Sequence, residues 1–219
     1  MDKNNWYFLG LLSFLVIYLV VSLTKKPDRN PAGGSCPNCG TVTVDYLEAN
    51  SMDKSQDIKT ETAIFAAGCF WGVESAFRKV KGVVKTTVGY TGGHTKNPTY
   101  KDVCTDKTGH AETIQIEFDP KQVSYNELLD VFWSIHNPTT LNRQGPDFGS
   151  QYRSAIFYAD EKQRKLAEES KNILETAGKF RGKIVTEITK AGVFYPAEEY
   201  HQNYFEKNNI IGSCAVPVK

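Results

Sequence analysis

The sequence carries almost no excess of either charge: 26 Lys and Arg stand against 25 Asp and Glu in 219 residues, a formal net charge of +1. A nucleic-acid-binding surface needs a clustered basic excess, so this balance gives no footprint for such a partner. Internal repeats and low-complexity runs are also missing, which argues against a solenoid or a propeller. The pair Cys36-Pro37-Asn38-Cys39 has neither a second C-x-x-C nor an H-x-x-x-H to go with it. A complete zinc site usually needs two further ligands, so this pair alone is half of one.

What is present reads as one globular domain with an appendage: 40% hydrophobic, 12% aromatic and 23% charged residues. The appendage leads. Asn4 to Thr24 contains no charge, and Trp6 to Leu23 is nearly continuous Leu, Val, Ile, Phe and Tyr. At ~1.5 Å per residue that run spans roughly 27 Å, enough to cross a bilayer. A transmembrane helix over 6–24 is therefore expected, with Trp6 and Tyr7 at one interface and Lys25-Lys26 at the other. A cleaved signal peptide is the rival, but Lys3 is offset by Asp2 and no small-x-small cleavage site follows. Lys25, Lys26 and Arg29 outnumber Lys3, so the positive-inside tendency leans the folded part toward the cytoplasm without excluding the other side. Residues 25–62 read as a polar tether holding the C-x-x-C pair, with a weak strand-like run at 41–44. The folded domain is expected over 63–219.

Within that domain strand and helix signals alternate. Ala63 to Ala67 is apolar and of strand length, and Phe70, Val73, Phe77 and Val80 then recur at helical spacing. Val83 to Tyr90 reads as strand, and Thr113 to Phe118 alternates as a half-buried strand ended by Asp119-Pro120. Ser124 with Glu127 is a capping box opening a helix through Ile135. A strand at 154–159, a charged helix at 160–177, a strand at 184–188 and a short helix at 196–208 complete an α+β sandwich.

The chemistry centres on Gly68-Cys69-Phe70-Trp71-Gly72, where a thiol sits between a glycine turn and a helix start. Unpaired N–H groups and the positive end of the helix dipole favour the thiolate, the form that attacks. A buried, inert cysteine is the plain alternative, and the local sequence leaves both standing. Glu112 enters the alternating strand two residues after His110. It can donate a proton at neutral pH only if burial raises its pKa; otherwise it is a solvated glutamate at a strand edge.

Taken with Gly89-Tyr90-Thr91-Gly92-Gly93, Thr108-Gly109-His110-Ala111-Glu112, His136-Asn137-Pro138-Thr139-Thr140, Asn142-Arg143-Gln144-Gly145-Pro146-Asp147, Gln151-Tyr152-Arg153-Ser154 and Phe194 to Gln202, the pentapeptide resembles the peptide methionine sulfoxide reductase A family. The resemblance runs in order from about Ile64 to Cys214. It implies a ferredoxin-like mixed sheet with packed helices and long loops, here preceded by the transmembrane helix. It implies thiol-dependent reduction of methionine (S)-sulfoxide, in proteins and as the free amino acid, with no bound cofactor or metal.

By the same resemblance Cys69 is the nucleophile and Glu112 the general acid. Tyr100 and Tyr152 donate hydrogen bonds to the sulfoxide oxygen, Asp147 helps place substrate or water, and Phe70 and Trp71 hold the S-methyl group. Cys214 condenses with the Cys69 sulfenic acid. No cysteine follows Cys214, so release of the disulfide falls to thioredoxin or another dithiol, or to thiols elsewhere in the chain. For Cys36 and Cys39 a redox relay, a structural disulfide and a metal site remain open. Cys104 is expected to be packed rather than catalytic, and His201 to be a hydrogen-bonded structural histidine. The competing functions are a cysteine-based thiol peroxidase or peptidase, using one of His94, His110, His136 or His201 as base, and a non-enzymatic membrane-tethered metal-binding module.

Overall fold

The computed structural model describes residues 59–210. In chain order the elements are β1 (Glu61–Ala67), α1 (Phe70–Phe77), β2 (Val83–Thr91), α2 (Tyr100–Val103), β3 (Ala111–Phe118) and α3 (Tyr125–Ser134). Then come β4 (Arg143–Gln144), β5 (Asp147–Phe148), β6 (Ser154–Tyr158), α4 (Glu161–Thr176), β7 (Glu187–Lys190), β8 (Tyr195–Pro196) and α5 (Tyr204–Lys207). Six strands form one sheet in the order β7-β6-β1-β3-β2-β8, and β4 and β5 make a separate hairpin. Every pair in the large sheet is antiparallel except β6 with β7, which is parallel.

The period-2 geometry of a strand sorts β1 cleanly. Ala63, Phe65 and Ala67 point into the main core with Ile114, Ile116 and Phe118 of β3 and Ile156 of β6. Ile64 and Ala66 point to the opposite face, where Ala111, Ala155 and Phe157 meet Ala191 and Phe194. The main core is closed by Val73 and Phe77 of α1, Leu128, Leu129 and Phe132 of α3, and Ala167 of α4. Phe65 anchors it, with ring centroids 5.5 Å from Phe77 and 5.2 Å from Phe132. At 8 residues α1 is far below the length at which an isolated helix is stable, so this packing is what holds it. The helix α3 starts at Ser124, whose side chain accepts from the Glu127 N–H while Glu127 returns the bond to the Ser124 N–H.

The expected fold class needs correction. Among the described residues no helix is long and apolar enough to cross a membrane. The longest, α4, has 16 residues and exposes a charged face, so the described residues show a mixed sheet with helices packed on it and no transmembrane helix. The expected span at 6–24, the tether up to residue 58, and Cys36, Cys39 and Cys214 lie outside the described residues. Two local expectations also shift. The strand expected at 184–188 is β7 at Glu187–Lys190, set by its parallel register Ala155↔Glu187 to Tyr158↔Lys190. The single helix expected at 196–208 is broken into β8, a 3₁₀ turn at Glu199–His201 and α5. Asn203 has left-handed φ of 55°, which a continuing helix cannot contain, and its N–H is bound at 2.7 Å by Glu74 Oε2 of α1.

Candidate active site

The sequence Ala67-Gly68-Cys69 turns the chain sharply from β1 into α1. Gly68 has φ +95°, and a Cβ there would sit 2.6 Å from Cγ of Gln144, so only glycine fits. Gln144 is itself fixed: its Oε1 accepts the Asn137 N–H at 3.2 Å and its amide donates to the Asn137 carbonyl at 3.3 Å. Cys69 is the N-cap of α1 and half-buried, facing the helix end where unpaired N–H groups gather.

Glu112 lies beside it. The carboxyl is 2% exposed, and Oε2 accepts the Phe70 N–H at 3.0 Å. Burial pushes its pKa up to about 8, against the lowering effect of that hydrogen bond and with help from the negative charge of Asp147. At neutral pH it is therefore mostly protonated.

Tyr100 opens α2, which is held by a capping box between Thr99 and Asp102. Tyr152 ends a 3₁₀ turn at Ser150–Tyr152. Both phenols are raised, first by burial. After burial the Cys104 thiol beside Tyr100 contributes, and for Tyr152 the charges of Glu112 and Asp147. They stay protonated donors under all working conditions. The turn carrying Tyr152 is tied down by buried Arg153, which donates to the Ser150 carbonyl, to the Gly109 carbonyl of the loop leading into β3, and to Glu187. Asp147 sits in the β4–β5 hairpin, paired with Gln144, and burial raises its carboxyl too.

Phe70 is buried and Trp71 half-buried, their ring centroids 6.4 Å apart. Trp71 stacks on Tyr204 at 3.8 Å and its Nε1–H donates to His201 Nδ1 at 3.0 Å.

Cys69, Phe70 and Glu112 thus share one end of the sheet, and the charges of Glu112 and Asp147 both act on Tyr152. Cys104, expected to be packed, is exposed instead: it caps the C-terminal end of α2, with its thiol beside Tyr100. His110 and His136 have both ring nitrogens committed, the first to Gly93 and Thr95, the second to Phe132 and Ser154. Burial holds His136 down to about 4. Among the described residues no group of His, Cys, Asp and Glu could hold a metal ion. Sequence reasoning missed the supporting set Gln144, Arg153, Glu198 and Tyr204. For Gln144, Arg153 and Glu198 the only signal was their position inside recognisable motifs, and Tyr204 lies outside them.

Comparison with known proteins adds an independent line. A family model described as peptide methionine sulfoxide reductase matches residues 61–219. A relative named peptide methionine sulfoxide reductase MsrA, from Methanothermobacter thermautotrophicus, is 67% identical over 148 residues, covering 68% of this chain and 88% of its own. The crystal structure of reduced Mxr1 from Saccharomyces cerevisiae is similar with a TM-score of 0.68 at 38% identity, covering 73% of this chain and 91% of that one. A second structure of Mxr1, in complex with Trx2, has a TM-score of 0.50 at 26% identity and covers 77% and 97%.

Proposed function

The chain belongs to the peptide methionine sulfoxide reductase family, and on that premise we propose that Cys69, Glu112, Tyr100 and Tyr152 carry out its reduction step. The protein is a thiol-dependent oxidoreductase that reduces methionine sulfoxide and is recycled by thioredoxin.

In this reading Phe70 and Trp71 receive the S-methyl group of the (S)-sulfoxide, in a protein or in the free amino acid. The Tyr100 and Tyr152 hydroxyls donate to the sulfoxide oxygen and polarise it. The Cys69 thiolate attacks sulfur while Glu112 delivers its proton to the departing oxygen. The oxygen, now a hydroxyl, passes to the Cys69 sulfur as the S–S bond just formed breaks with its electron pair left on the substrate sulfur, so methionine leaves and Cys69 is left as sulfenic acid. The Cys214 thiol then attacks that sulfur, a disulfide forms and water departs. A dithiol reductant takes the disulfide; Cys36 and Cys39, by their C-x-x-C spacing, are proposed as an internal relay to it.

The observation that carries this is Glu112: a carboxyl 2% exposed, bonded to the residue after the nucleophile, and held protonated up to about pH 8. Asp147 adds negative charge near it and is proposed to help place substrate or water. The test is a single turnover of Cys214→Ser with one equivalent of sulfoxide. One methionine per chain and one oxygen added at Cys69 are expected by mass spectrometry. Oxygen on another residue, or turnover surviving Cys69→Ser, overturns the assignment. With Cys214 intact, migration of the disulfide to Cys36–Cys39 tests the relay, and unchanged cycling of the Cys36→Ser, Cys39→Ser variant removes it.

A further inference from the structure

We infer that Glu198 is a positioning residue that sets two walls of the sulfoxide site at once, Tyr100 directly and Trp71 through His201. The inference rests on the function proposed above.

The carboxylate gathers three elements. Its Oε1 accepts the Tyr100 N–H at 2.9 Å, at the first turn of α2. Its Oε2 accepts the Tyr90 hydroxyl at 3.0 Å, from the end of β2. That same Oε2 faces Nε2 of His201 at 3.9 Å. His201 is 1% exposed and wedged among the aromatic rings, with centroids 4.4 Å from Tyr100, 5.0 Å from Phe70 and 4.1 Å from Tyr200.

The proton on His201 follows from its partner. An indole N–H donates and never accepts, so in the 3.0 Å bond with Trp71 the His201 Nδ1 must be the acceptor. The neutral ring then carries its proton on Nε2. That buried atom has no hydrogen-bond partner within reach among the described residues, and the group it faces is the Glu198 carboxylate. A separation of 3.9 Å is too long for a hydrogen bond, yet a carboxylate at that distance favours the tautomer that points N–H toward it. Site bonds that are long without substrate commonly tighten when it binds. The opposite tautomer would set Nδ1–H against the indole N–H and release Trp71. Glu198 therefore acts on the methyl wall through a chain of carboxylate, imidazole and indole, and on the oxygen-binding wall through the backbone of Tyr100.

Replacing Glu198 by glutamine separates the two effects. The amide has one acceptor oxygen, which the Tyr100 N–H requires, so its NH₂ takes the Oε2 position and accepts nothing. Tyr90 can adapt because a hydroxyl also accepts, but His201 now faces a donor and its proton is driven to Nδ1.

The experiment is nitrogen-15 NMR of the His201 ring in the parent and in Glu198→Gln, with steady-state kinetics on a methyl sulfoxide. The parent should show a protonated Nε2 and an unprotonated Nδ1. The variant should move the proton toward Nδ1 and raise KM by roughly three- to tenfold, the worth of one hydrogen bond, with kcat changed less. In a Trp71→Phe background, which has no indole N–H to lose, Glu198→Gln should raise KM no further. Glu198→Ala, which also drops the Tyr100 bond, should be worse than Glu198→Gln. An unmoved tautomer with KM within twofold of the parent, additive effects with Trp71→Phe, or a Glu198→Ala variant as active as the parent would each overturn the inference. If the tautomer moves but the parent reduces no sulfoxide, the positioning role stands and the proposed function fails.

Discussion

Two glutamates are buried at α1, one bonded to the first N–H of the helix and one carried by the helix itself, and they have opposite surroundings. Glu112 lies at the start of β3 in the same row as Ile114, Ile116 and Phe118, so a carboxyl occupies a core position. It accepts one hydrogen bond, from the Phe70 N–H, and Asp147 adds a like charge. Glu74, four residues along α1 from Phe70, accepts from the Thr86 hydroxyl at 3.0 Å and the Asn203 N–H at 2.7 Å, with Arg78 nearby. Burial raises both. The donors around Glu74 oppose that rise on several sides, whereas at Glu112 little does. The same residue type at similar depth is thus a bracket for α5 in one place and, in the function proposed above, a proton carrier in the other, according to how many donors reach it.

The strongest break of this comparison is Glu112→Gln. Single-turnover methionine formation should fall by about 10²–10⁴-fold, the usual range for a general acid. In the parent, the same rate should decline as pH rises through about 8, and this decline should vanish in the variant. A parent-like rate at neutral pH would assign proton delivery elsewhere.

Stability should move the other way. A carboxyl whose folded-state pKa, about 8, lies above its ordinary value of 4.5 binds its proton more tightly in the native state. Stability is then full below about 4.5, is lost as pH rises between the two values, and is lost no further above about 8. Glu112→Gln removes that loss, so near pH 8 it should be more stable than the parent by on the order of a few kcal/mol, and near pH 4 by little. Denaturant unfolding at the two pH values checks this.

Glu74→Ala should do the reverse of Glu112→Gln. It strands the Asn203 N–H, for about 1–3 kcal/mol of stability, and should leave the rate of sulfenic acid formation within a few-fold of the parent. A large loss of chemistry with unchanged stability would erase the distinction between the two sites. The smallest effect belongs to Asp147→Asn: removing the like charge should move the upper limb of the single-turnover pH profile down by less than about one unit.

How much of this was legible in the sequence differs from residue to residue. The turn at Gly68, the helix after Cys69 and the capping box at Ser124 follow from neighbours within four positions, and local pattern reads them. The row that buries Glu112 was half legible. Alternation identified the strand from Thr113 to Phe118, but that Glu112 continues its inner row depends on α1 covering the strand end. Asn203 breaking the last helix depends on Glu74, 129 residues earlier. Glu198 meets Tyr100 across 98 residues. Contacts at such separation leave no periodicity to read, and neither was legible in the sequence. The exposed Cys104 shows the limit of motif resemblance, since a shared motif did not reveal its exposure.

The two outer strands of the large sheet have a consequence for an enzyme whose substrates include damaged proteins. An open strand edge is a template on which a partly unfolded chain can add itself and aggregate. Here one edge is β8, two residues long and ending in Pro196, which has no N–H to offer. The other is β7, four residues long, with Glu187 and Lys190 exposed at its ends. Both edges are too short, and too proline-blocked or charged, to recruit a stray strand. Among the described residues the sheet therefore offers oxidised, loosened polypeptides no long, open edge on which to pair.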